Sequence, residues 1–262
     1  MPGMLLAAAR HLATALFPAL CPGCTNAPGP DLCPVCQARL PRLRHPCPRC
    51  ATPRWHQDQP CPACARARHG RIARVHAPFA YVGLIRDLVR TAKGADDNAA
   101  IRCLARLLVA TADLAPAGTP TSVVCIPPAP GRRSGPHLAT ALARSLAADR
   151  SLPLRPVLAC RHLPAEQHRL PLPRRRHNVA GLYRCRQGLS GDLLLVDDLL
   201  TSGATLAAAA DALRAAGAGR ITACCLARTP EAGEPPALIG DQEGDTHSQT
   251  AIACNGEAPL GI

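Results

Sequence analysis

The sequence predicts an α/β protein, a parallel sheet flanked by helices, preceded by a small Cys-rich module. Three observations predict it. Eight of the fifteen cysteines form four C-x-x-C pairs between residues 21 and 64. Beyond them, short apolar runs alternate with amphipathic stretches, the signature of βαβ units. Late in the chain, the apolar run Leu193–Val196 leads directly into Asp197, Asp198 and a Gly-containing turn, as a buried strand does when it ends at a ligand-binding edge. At 262 residues the chain accommodates one sizeable domain and an accessory module. The expected division is an N-terminal helix at 1–20, the Cys-rich module at 21–70, the α/β domain at 71–230 and an acidic, disordered tail at 231–262.

Taken in order, residues 4–18 carry a rough helical stripe of Leu5, Leu6, Ala9, Leu12 and Leu16. After the cysteines, 74–81 reads as a strand, and 84–91 and 99–114 as helices. Residues 121–126 read as a short buried strand that ends at Pro127. Leu138, Leu142 and Leu146 mark a helix over 137–148. Further strands are expected at 155–159 and 181–185, separated by a loop rich in Arg and His. The last βαβ unit is a strand over 192–196, a helix over 202–216 stopped by Gly217, and a strand over 220–226. Residues 231–262 are polar, acidic and aperiodic, hence the expectation of disorder.

Composition narrows the function classes. The apolar content of 47% supports a core, but only five residues are aromatic, so Leu, Val, Ile and Ala must build it. The net charge is +12; residues 231–262 hold six acids and no Lys or Arg, so the body ahead of them carries +18. Two four-thiolate zinc sites, each net −2, would lower that to about +14. Such a body favours polyanions, although a codon bias toward Arg explains 29 Arg and one Lys equally well. No run approaches the ~18–20 apolar residues of a membrane span. The apolar run 12–20 is short and leads into Cys21 without an obvious cleavage site, which with the C-x-x-C spacing opposes a secreted disulfide scaffold; the expected compartment is the cytoplasm.

The pairs Cys21/Cys24, Cys33/Cys36, Cys47/Cys50 and Cys61/Cys64 have metal-ligand spacing. Each C-x-x-C turn sets two thiolates on one side of a metal, and two turns complete a tetrahedron, so eight ligands imply two Zn2+ ions. Sequential pairing is preferred. The expected role is architectural, because a catalytic zinc keeps an open position. The remaining cysteines read as core or tail residues.

At the end of the 192–196 strand, Thr201, Ser202, Gly203, Ala204 and Thr205 turn into a helix. A helix N-terminus offers backbone N–H groups, and the hydroxyls add donors, which together make a phosphate cradle. Carboxylates beside such a cradle fit a ligand whose sugar hydroxyls lie one ribose away from its phosphate. A P-loop is excluded, since no GxxxxGK[ST] occurs.

The run LLLVDDLLTSGAT (193–205) resembles the phosphoribosyl diphosphate (PRPP) motif of type I phosphoribosyltransferases. With the cysteine pairs in front, the chain to about Arg228 resembles the ComF family, competence-associated bacterial proteins with a double zinc ribbon. FPALCPGC (17–24), FAYVGLIRDLVRTAKGADD (79–97, with Lys93) and Gln167 followed by RRRHNVAGLY (174–183, with Arg176 and Asn178) extend the resemblance. The segment IPPAPGRRSGPH (126–137) departs from it: Gly135 is kept, while Pro136 and His137 replace an aromatic and an amide. The resemblance implies a type I phosphoribosyltransferase-like sheet behind a zinc-ribbon module. It also implies that Asp197 and Asp198 bind ribose hydroxyls, that Thr201–Thr205 bind the 5-phosphate, and that Mg2+ accompanies the diphosphate. Arg132, Arg133 and Arg176 are candidates for diphosphate or DNA contact. No general base is visible, and Thr201 stands where several active transferases have an acid, so a catalytic residue is not assigned. The family's link to DNA uptake suggests single-stranded DNA and uptake proteins as partners, through the seven arginines of 161–186. An active transferase and a non-catalytic PRPP sensor are the alternatives.

Overall fold

A computed structural model describes residues 19–66, 72–94, 98–113, 119–128, 137–161 and 181–240. The expected helix at 4–18, the tail beyond 240 and the loop candidates Arg132, Arg133, Gln167, Arg176 and Asn178 lie outside them.

The Cys-rich front contains two five-residue helices, α1 (Pro34–Ala38) and α2 (Pro62–Arg66). The body follows as β1 (Arg74–His76), β2 (Phe79–Ala80), α3 (Gly83–Gly94), α4 (Asn98–Thr111), β3 (Ser122–Cys125), α5 (Leu138–Asp149), β4 (Leu158–Cys160), β5 (Tyr183–Cys185), β6 (Leu193–Leu200), α6 (Ala204–Ala215) and β7 (Ile221–Arg228). The main sheet runs β1–β7–β6–β3 and is parallel, with β2 continuing along β7 beyond β1.

Both faces of this sheet are covered, which is why its strands read as unbroken apolar runs. Leu194 and Val196 of β6 point into a core shared with α3, α4 and α5. Their neighbours Leu193 and Leu195 point into a second core with α6, as period-two alternation requires. The helices meet these faces through Leu88, Val89, Leu104, Leu108, Leu142 and Leu146 on one side and Leu206 and Leu213 on the other. With so few aromatics available, Ala fills the gaps: Ala209, Ala210 and Ala223 are fully buried.

The structure departs from the pattern-based expectations in four places. The strand expected over 74–81 is split, because Ala77-Pro78 interrupts it and Pro has no N–H for the ladder. The strand expected at 155–159 lies at Leu158–Cys160 and pairs antiparallel with β5, away from the main sheet. β6 does not stop at Val196: its pairing with β7 continues through Asp197 to Leu200, opposite Arg228. Finally, residues 231–240 are ordered. The Arg228 side chain is buried at 3% exposure and pairs with Glu234 at 2.7 Å and Glu231 at 3.1 Å. A 3-10 turn at Pro236–Leu238 follows, and Ile239 bridges to Leu43 in the front module.

That last contact sews the front module into the body. The N–H of Ala80 donates to Pro41 O at 2.8 Å and the N–H of Leu43 to Pro78 O at 3.0 Å. On its other side, the N–H of Arg44 donates to Leu238 O at 2.9 Å and the N–H of Gly240 to Arg42 O at 2.7 Å. Residues 41–44 therefore lie between β2 and the 238–240 segment, closing an edge that would otherwise present unpaired backbone groups.

Candidate functional site

Two sets of thiols converge as sequential pairing expects: Cys21, Cys24, Cys33 and Cys36 in one, Cys47, Cys50, Cys61 and Cys64 in the other, with the sulfurs of each set within 4.8 Å of one another. A tetrahedral zinc with Zn–S bonds of about 2.3 Å places its sulfurs about 3.8 Å apart. The Cys24–Cys33, Cys47–Cys64 and Cys50–Cys61 separations are 3.8, 3.7 and 3.5 Å. Two four-cysteine sites of this geometry fit structural Zn2+.

The two sites repeat one design. In each, a loop turn supplies two sulfurs, and the start of a short helix supplies the other two. All four pairs read C-P-x-C, and in Cys33-Pro34 and Cys61-Pro62 the proline opens α1 and α2, where its missing N–H costs nothing. The residue after each loop turn, Thr25 or Ala51, has a positive φ of 58° or 57°. Backbone N–H groups of Ala27 and Asn26 face the Cys24 sulfur and hold its thiol at about 6, favouring the thiolate that a metal takes. Gly23 is fixed by close approach, since a Cβ there would lie 2.9 Å from Cys36 Sγ.

At the C-terminal end of β6 the acid pair occupies the last half of the strand. Asp197 is buried, at 8% exposure. Its Oδ1 accepts the N–H of Asp198 at 2.8 Å. Burial, then the adjacent Asp198 carboxylate, push the Asp197 carboxyl up to about 7, against the opposing pull of that N–H and of Lys93. Asp198 is more open, and its Oδ2 lies 2.6 Å from Lys93 Nζ, near the end of α3.

Three residues later the chain enters the turn that leads into α6. Thr201 and Ser202 are exposed, and the Ala204 N–H points to Ser202 Oγ at 3.4 Å. Gly203 caps the helix with φ +73°, a left-handed conformation that costs other residues about 1–2 kcal/mol. Space is not the constraint, because a Cβ there would meet only Leu200 Cδ1, at 3.8 Å. The helix therefore starts at Ala204 rather than Ser202, and Thr205 lies in its first turn. On the other side of β6, Ile126 N–H donates to Val196 O at 2.9 Å, so the segment after β3 departs beside the acids.

The structure thus brings Asp197, Asp198 and Thr201–Thr205 together at one edge of the sheet and adds Lys93. The sequence signal for Lys93 was its rarity: it is the sole lysine beside 29 arginines. Separately, Arg161, Arg184 and Arg186 line a cleft of about 450 Å³ with Tyr183, Ala212 and Ala216, between the β4–β5 pair and α6.

Two family models match parts of the chain: residues 12–65 match a double zinc ribbon domain and residues 190–253 a phosphoribosyl transferase domain. The chain thus joins Cys-rich zinc-binding modules to a phosphoribosyl transferase domain with a parallel sheet and flanking helices. Among solved structures, the protein TT1426 from Thermus thermophilus is similar at 17% identity over 52% of this chain and 86% of that chain, with a TM-score of 0.30. No curated protein matches. Among the described residues, no helix is long and apolar enough to cross a membrane.

Proposed function

We propose that this chain is a ComF-type protein that binds PRPP or a close phosphoribosyl relative at the rim formed by β6 and α6. One observation carries the reading: an acid pair lies near the end of a central parallel strand, and a glycine-hinged turn into a helix begins three residues after it. A phosphate at that helix N-terminus meets the first-turn N–H groups, the positive end of the helix dipole and the hydroxyls of Thr201, Ser202 and Thr205. Asp197 and Asp198 then lie where sugar hydroxyls donate. Mg2+ fits the donor set in a limited way. The carboxylate oxygens are the hard donors it takes, but Asp198 already holds Lys93, so the ion would rely on the ligand's own phosphate oxygens. When bound, such an ion offsets the charge of the diphosphate.

Calorimetric titration with PRPP, with and without Mg2+, tests this. The variant Asp197→Ala/Asp198→Ala is expected to lose at least tenfold in affinity while keeping its zinc content. Heat identical to that of the parent protein would remove the sugar-binding role. Release of diphosphate from bound PRPP in the presence of an acceptor would identify the active-transferase alternative; binding without release favours the sensor or accessory role. The expected compartment is the cytoplasm, where eight thiols stay reduced for metal.

The DNA-handling role implied by the family resemblance has one supporting observation, the cleft carrying Arg161, Arg184 and Arg186. Arg guanidinium groups suit phosphate backbones. Single-stranded DNA bound there should weaken by more than tenfold between about 50 and 200 mM salt. Salt-indifferent binding, or none, would end that reading.

A further inference from the structure

The ion pair between Lys93 and Asp198 is the contact at the rim that the binding reading leaves unexplained. Lys93 is anchored by its helix, since Ile85, Leu88, Val89 and Ala92 of α3 are buried in the core. Its side chain stays 31% exposed and that of Asp198 15%, so the pair sits at the surface of the rim within reach of a ligand. Placement near the C-terminal end of α3 suits an ammonium, because the helix dipole is negative there.

A sugar hydroxyl that donates to Asp198 competes with this ammonium, and a neutral donor competes poorly with a charged one. Displacement becomes favourable when the ligand offers the ammonium a new anion. Ribose 5-phosphate has one phosphate, and the cradle at α6 takes it. PRPP brings a second anionic group at C1.

We propose that Lys93 is a specificity-determining residue that holds Asp198 in the free protein and transfers to the C1 diphosphate when the sugar hydroxyls take Asp198, so that the rim selects PRPP over ribose 5-phosphate. The inference rests on the binding reading above. The residue type supports it. In a chain with 29 arginines, the cation that pairs with Asp198 among the described residues is lysine. Lysine is a single point charge on a flexible stem, able to move between partners, whereas arginine forms a planar two-point clamp on a carboxylate. An arginine here would hold Asp198 rather than exchange it.

Calorimetry with both ligands in Mg2+ buffer tests the assignment on the parent protein, Lys93→Met and Lys93→Arg. The parent protein should favour PRPP by at least tenfold. Lys93→Met should reduce that ratio to within threefold by weakening PRPP alone, and Lys93→Arg should weaken both ligands. Heat from both ligands with a ratio unmoved by Lys93→Met overturns the inference while leaving the binding reading intact; heat from neither ligand in the parent protein overturns the binding reading itself. A second measurement needs no variant. Because the chain has one lysine, an amine-reactive label reports Lys93 apart from the terminal amine. PRPP should slow its labelling and ribose 5-phosphate should leave it nearly unchanged; equal effects of the two ligands would also overturn the assignment.

Discussion

In the Cys-rich front, four sulfurs crowd within 4.8 Å at each of two sites, whereas at the rim of the sheet one of two adjacent carboxyl groups holds an ammonium, with Lys93 Nζ 2.6 Å from Asp198. Both regions concentrate like charge, but they are neutralised from different sources. Four converging thiolates call for a metal, so the front depends on an ion from outside the chain. The rim is neutralised by Lys93, which the core holds in place through α3. The front should therefore fold only with its ion. The rim should keep its shape without a ligand and hold a cation that is free to exchange.

The largest test of this contrast is metal removal. Elemental analysis should find two zinc ions per chain, and Cys36→Ser should leave one. Each structural site is worth on the order of 10 kcal/mol of folding energy. Residues 41–44 are stitched to both β2 and the 238–240 segment, so chelation should also lower the melting temperature of the body. A body that melts unchanged after both ions are removed would show that the two regions are independent. Asp198→Ala, by contrast, should shift stability little, because the pair it breaks is partly exposed.

A smaller effect probes the strap that closes over the front. Arg228 is 3% exposed and Glu234, at 13%, is its more enclosed partner, while Glu231 is 67% exposed. Removing one partner of a buried pair costs about 3–5 kcal/mol. With Glu231 still present, Glu234→Ala should fall near the lower end of that range, and Glu231→Ala should stay within about 1 kcal/mol. Equal losses in urea denaturation of the two variants would contradict the closer enclosure of Glu234 against Arg228.

The same contrast decides what the sequence discloses. Each metal site is assembled from residues no more than 17 positions apart, so spacing alone exposes it, and the prolines of C-P-x-C mark even the helix starts. Asp197, Asp198 and Gly203 are near neighbours in the chain and equally legible. Lys93 is not, because it reaches Asp198 through the packing of α3, and no local pattern encodes that distance. The extension of β6 past Val196 was hidden for a related reason: Asp197 and Asp198 break the apolar run, while the ladder to β7 continues beneath them. In 231–240 the acidic composition suggested disorder, yet Glu231 and Glu234 are acids because Arg228 is buried against them, and Leu238 is itself buried. The two-stranded β4–β5 sheet pairs strands across a long loop, which periodicity does not register.

The smallest and most specific expectation concerns Asp197. In the unfolded chain its carboxyl titrates near the ordinary value of about 3.9, and in the folded chain burial and the Asp198 carboxylate push it up to about 7. Below about pH 4 both states are protonated and the group has no effect. Between about 4 and 7 the folded state holds a proton that the unfolded state has released, so stability falls as pH rises, by at most about 1.4 kcal/mol per unit. Above about 7 both states are ionised and the accumulated penalty stays constant. Asn has the shape of the protonated acid and keeps an oxygen for the Asp198 N–H, but it does not titrate. Asp197→Asn should therefore gain on the parent protein by about 1 kcal/mol between pH 6 and 8 in denaturation experiments run with excess zinc, so that the thiolate sites stay loaded. A difference that stays flat across that window would mean that Asp197 is ionised in the folded rim throughout, and that Lys93 neutralises the pair rather than Asp198 alone.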